Sequence, residues 1–141
     1  MRRSLGALAV SLLLSSAGAP ALAQSAPSDL LGQWHGPSIC VKADWNAACH
    51  DEEAYYDFVP GSASGRVLLH AYKIINGEKE LMGDLEFSYD AASHAWTSDF
   101  QNTRVHVRWI FEPRGAAMTG RVVQLPSLRA ARHVTVTRAK D

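Results

Sequence analysis

From Arg104 to Glu112 the sequence alternates, with Val105, Val107, Trp109 and Phe111 on one parity and Arg104, His106, Arg108 and Glu112 on the other. Only Ile110 departs from the pattern. A period of two fits a strand with one dry face and one wet face, and it fits no helix. Residues of the same kind recur along the chain between strong turn signals. Strand-like stretches run from Leu31 to about Lys42, Ala54 to Val59, Arg66 to Ile75, Leu81 to Tyr89, His94 to Phe100, Ala117 to Leu125 and Arg132 to Arg138. Between them lie Pro60 to Gly65, Asn76-Gly77, Asp90 to Ser93, Gln101-Asn102, Pro113-Arg114-Gly115 and Pro126 to Ala130. Asn-Gly supplies the two positive-φ residues of a tight hairpin, and the Pro/Gly clusters stop strands. Gly36-Pro37 interrupts the first strand, so a bend, a bulge or an edge position is expected there.

Eight strands with short turns need roughly 100 residues, which uses up the span from Leu31 to Arg138. No crossover helix fits. The expected fold is all-β, an eight-stranded antiparallel up-and-down barrel, with a two-sheet β-sandwich as the competing architecture.

Arg2 and Arg3 followed by an apolar run from Leu5 to Leu14, small residues and Ala21-Leu22-Ala23 read as a secretory signal, with cleavage expected before Gln24. Residues 24–30 are then a short flexible lead and 31–141 a single domain. Removing Arg2 and Arg3 leaves 12 basic against 14 acidic side chains, a net charge of −2 that gives no reason to expect nucleic acid. No later apolar run reaches the roughly 20 residues of a membrane span. The expected location is therefore the periplasm or the cell exterior, where two cysteines, Cys40 and Cys49, form a disulfide. Asp44 to Ala48, inside that loop, suits one helical turn.

Gly32-Gln33-Trp34 at the head of the first strand resembles the G-x-W motif of the lipocalins and related calycin barrels. The resemblance implies a barrel whose floor is closed by Trp34 against an arginine near the chain end, Arg132 or Arg138. It also implies a binding protein with a small apolar or amphipathic molecule in the barrel mouth. It implies no chemistry. A T-D motif before strand seven and a helix after the last strand, both usual in that family, are missing here.

Tyr56, Phe58, Leu85, Phe87, Val107 and Trp109 have inward parity, so they line a cavity if the barrel is open and fill it if it is not. Gly83 and Gly120 lie where an inward side chain would otherwise stand. His70 and Tyr72 share a strand face that alternation cannot assign, since both faces are apolar; turned inward, they would orient a ligand. The loop Ser62-Ala63-Ser64-Gly65-Arg66 faintly resembles the basic loop of exported lysozyme inhibitors, which makes a protein-binding module acting through Ser62, Ser64 and Arg66 the alternative.

His35, Cys40, Cys49, His50, Asp51, Glu52 and Glu53 include metal-ligand types, but in no familiar spacing, and oxidation would remove both thiolates. No metal or other cofactor is expected. There is no G-x-S-x-G elbow, no H-E-x-x-H and no glycine-rich phosphate loop, so a non-enzymatic protein is expected.

Overall fold

A computed structural model describes residues 18, 26–41 and 48–140. The segment read as a leader, Gly18 apart, and all but the last residue of the helical turn expected over Asp44 to Ala48 lie outside the described residues. Eight strands follow one short helix: α1 (Pro27–Leu30), β1 (Gly32–Cys40), β2 (Glu52–Pro60), β3 (Arg66–Ile75), β4 (Glu78–Asp90), β5 (Ala95–Gln101), β6 (His106–Arg114), β7 (Ala117–Gln124) and β8 (Ala130–Arg138). Each strand pairs antiparallel with the next, and β8 returns to β1, so the sheet closes into a barrel, most thinly between β4 and β5, where Ser88 to Asp90 pair with Thr97 to Ala95. The sandwich is thereby excluded.

The turns do what their residues favour. Asn76 and Gly77 both have positive φ, 51° and 80°. The Asn102 carboxamide oxygen accepts from the Arg104 and Val105 amides at 2.8 and 2.9 Å, closing the turn into β6. At Gly36-Pro37 the β1–β8 pairing lapses after His35↔Thr137 and resumes in the same register at Ser38↔Val134. A Cβ on Gly36 would run into the Thr135 carbonyl, so the glycine lets the two backbones approach.

Several boundaries and faces differ from expectation. Pro113 and Arg114 continue β6, paired with Met118 and Ala117, and the break comes at Gly115. The lead is not free as far as Leu30: Pro27–Leu30 form α1, with Pro27 in the first turn and the Asp29 carboxylate accepting from the Ala26 amide at 3.0 Å. Four residues cannot hold a helix by themselves. What holds this one is Leu30, fully buried, and the contact of α1 with both β3 and β6 across the barrel floor.

In β4 the pairing shifts from Ala71↔Gly83 to Tyr72↔Leu81, leaving Met82 as a bulge. The extra residue reverses the face of everything before it. Leu81, inward by simple alternation, is therefore turned out and 55 % exposed. In β3 the buried parity is Val67, Leu69 and Ala71, so His70 and Tyr72 point outward.

Candidate functional site

The two ends of the barrel are built differently. At the end where β1 begins, the Trp34 indole Nε1–H donates to the Leu30 carbonyl at 2.9 Å, and the Arg138 guanidinium lies over the Trp34 ring, 4.3 Å from its centroid. Arg138 also donates to the Leu31 and Asp29 carbonyls at 2.8 and 3.1 Å. Gly32, at φ 116°, leaves room for that guanidinium; a Cβ there would stand 2.9 Å from Nη1. Above this floor Tyr56, Phe58, Phe87 and Phe111 pack tilted or edge-on with centroids 5.4 to 5.8 Å apart along the chain of contacts, the geometry aromatic quadrupoles favour. This half of the barrel is solid. Gly120 opens no space here, because a Cβ on it would lie 2.6 Å from the Phe111 ring.

Arg132 does not take part in closing the floor. It sits six residues before Arg138 on the same strand, roughly 20 Å away along an extended chain, at the opposite end. There its Nη1 donates to the Ser38 carbonyl and hydroxyl at 3.1 and 3.0 Å. Its Nη2 donates to the His50 carbonyl at 2.8 Å and faces the two sulfurs of the Cys40–Cys49 disulfide at 3.3 and 3.4 Å. The Glu52 carboxylate stands 3.7 Å away. One side chain thus ties together β1, the start of β2 and the disulfide.

Beside Arg132 lies a cavity of about 230 Å³, lined by Ala71, Met82, Gly83, Leu85, Phe100 and Trp109, with Glu52 and Arg132 as its polar groups; Asp84 borders it, but its carboxylate pairs with His70 on the outer face. A second lobe of about 210 Å³ shares Phe100, Trp109 and Arg132, and adds Cys49, Val107 and Val122. Nothing lies within 4 Å of where a Gly83 Cβ would be, so this glycine does open the interior. Met82 and Phe100 of the lining are both more than a third exposed.

Tyr56 stands between the two halves. Its ring packs edge-on against Trp109 with centroids 6.4 Å apart. Its hydroxyl is buried beside the Ser38 hydroxyl, close enough to feel it but without a hydrogen bond of good geometry among the described residues. Burial pushes its pKa up to about 12, against the opposing influence of the Ser38 hydroxyl and the Arg132 cation and with a smaller push from Glu52. The hydroxyl therefore stays protonated at neutral pH, and it is sealed from the cavity, whose lining does not include Tyr56.

The residues expected to line a cavity divide accordingly. Leu85, Val107 and Trp109 line it, while Tyr56, Phe58 and Phe87 fill the barrel beneath. His70 and Tyr72 are outside it. His70 Nδ1 pairs with the Asp84 carboxylate at 2.7 Å, and Tyr72 packs edge-on against Tyr55 on the outer face. Sequence reasoning does not place Ala71, Met82, Phe100 or Glu52 at a cavity. The signal that marks them is position, at the strand ends that share the mouth with the disulfide.

The loop Gly61 to Arg66 lies at the closed end, and Ser62 and Arg66 are engaged within the protein. Ser62 Oγ donates to the Glu86 carboxylate at 2.7 and 2.9 Å, and Arg66 lies 3.8 Å from the same carboxylate. Ser64 is exposed. Of the metal-ligand types near the disulfide, His35 is paired with Glu53 at 2.6 Å on the outside, and among the described residues no three such side chains converge.

An eight-stranded antiparallel barrel with one plugged end and one open, apolar-walled end is a lipocalin-like architecture. The chain matches no protein-family model, and no curated protein or solved structure is similar to it at a significant level.

Proposed function

We propose that this is an exported, non-enzymatic binding protein that holds a small amphipathic molecule in the open end of the barrel, as the resemblance to lipocalins implies. The observation that carries the reading is the cavity beside Arg132, apolar on Ala71, Leu85, Phe100 and Trp109 and polar at one corner. Pockets of this composition bind by burying an apolar body and orienting it through a few polar groups. The exposed apolar side chains of Met82 and Phe100 in its lining suit a ligand that is itself poorly soluble.

Export rests on the signal-like residues 1–23 and agrees with the disulfide, which persists in oxidising compartments. Among the described residues no helix is long and apolar enough to cross a membrane. The exported protein should begin at Gln24, which its intact mass checks.

Binding is tested with N-phenyl-1-naphthylamine, a neutral amphipathic fluorophore whose emission rises in apolar surroundings. The mature protein should enhance its emission saturably. Ala71→Leu, which places a larger side chain in the cavity, should weaken binding at least tenfold while leaving the far-ultraviolet spectrum unchanged. Equal binding by the folded variant would place the fluorophore elsewhere and contradict the reading.

A further inference from the structure

The polar corner of the cavity shows which ligands it would refuse. Arginine selects carboxylates by offering two parallel N–H groups, a fork that must be free to be used. Here both Nη groups of Arg132 are committed, one to Ser38 and the other to the His50 carbonyl and the disulfide sulfurs. Its charge is answered by Glu52. The remaining charged residue of the lining, Asp84, turns its carboxylate to the outer face, where it pairs with His70, and offers the cavity no cation. The mouth therefore contains an arginine without offering an anion site. From this, and resting on the binding function proposed above, we infer that the natural ligand is uncharged, an apolar body carrying a neutral polar group such as a hydroxyl, ester or carbonyl.

The physical reason is an asymmetry of cost. A ligand carboxylate entering beside Arg132 would also come to rest beside Glu52, whose side chain is only 21 % exposed. It would have to leave one of two carboxylates unpaired in a partly dry site or displace Arg132 from the groups that hold β1 to the disulfide. A neutral polar group meets neither obstacle. It leaves in place both the Arg132–Glu52 pair and the bonds of Arg132 to Ser38 and His50. Glu52 is thus the residue that sets the selectivity, by occupying the charge of Arg132 before any ligand arrives.

The test is displacement of N-phenyl-1-naphthylamine from the mature protein at pH 7 by octan-1-ol, methyl octanoate and sodium octanoate, all three with the same chain. The alcohol and the ester should displace at concentrations at least tenfold lower than octanoate. In Glu52→Gln, the advantage of the alcohol over octanoate should shrink at least fivefold. The wild-type ratio stands by itself if that variant does not fold. Octanoate equal to or better than the alcohol on wild-type protein would overturn the inference and leave the binding function standing. Failure of the fluorophore itself to bind would overturn both.

Discussion

Arg138 stands directly opposite Trp34 across the β1–β8 seam and covers the indole face at 4.3 Å. The same guanidinium holds the carbonyls of Leu31 and Asp29, so one residue closes the seam and anchors the chain entering the floor. Arg138→Ala removes a cation–π contact and two charge-assisted hydrogen bonds at a partly exposed site, and should cost about 1–2 kcal/mol in urea unfolding. Arg138→Lys should recover only part of this, because an ammonium cannot stack on the ring and reach both carbonyls together.

Leu30 is the plug. Leu30→Ala leaves a void under Trp34 and should cost about 3 kcal/mol, in the range of large-to-small core substitutions. A cost below about 1 kcal/mol, measured by urea unfolding, would mean that α1 does not seal the barrel.

These two residues show where sequence reading reaches and where it stops. Trp34, the disulfide, the Asn76-Gly77 hairpin and the inward parity of β6 are all legible, because each rests on local stereochemistry or on an unbroken period of two. Leu30 is not, since four helical residues carry no measurable period and its burial depends on strands far away in sequence. Arg132 and Arg138 have the same inward parity, and alternation says nothing about which end of the barrel a residue reaches. Alternation misplaces Leu81 because a bulge at Met82 changes the phase without changing the composition. His70 and Tyr72 are unassignable because β3 is apolar on both faces, and only the register against β2 and β4 decides which face is inside.

The buried Tyr56 hydroxyl gives a pH signature. Its folded pKa of about 12 lies above the ordinary tyrosine value of 10.0, so between those limits the unfolded chain loses a proton that the folded chain keeps. The stability is fully present below pH 10 and declines as pH rises through about 12, by roughly 2–3 kcal/mol from this group. Tyr56→Phe should remove that alkaline decline. At pH 7 the same variant should be within about 1 kcal/mol of wild type or more stable, since it discards a buried hydroxyl that makes no hydrogen bond of good geometry among the described residues. Urea midpoints at pH 7 and pH 11 check both statements.

Replacing both cysteines by serine frees a loop of about ten residues and should cost on the order of 2–3 kcal/mol by the chain-entropy account. It also removes part of the seat of Arg132. Binding of N-phenyl-1-naphthylamine should therefore weaken in the double variant even where circular dichroism shows it fully folded. Unchanged affinity would show that the disulfide stabilises the barrel without shaping its mouth.

The most direct measurement of the central claim is native mass spectrometry of the mature protein purified from its own exported fraction, run beside Ala71→Leu. The cavity beside Arg132 predicts a wild-type species carrying one co-purified small molecule, released intact on collisional activation and missing from the variant. Wild-type protein at its bare oxidised mass, indistinguishable in occupancy from Ala71→Leu, would contradict the claim that this barrel is a carrier.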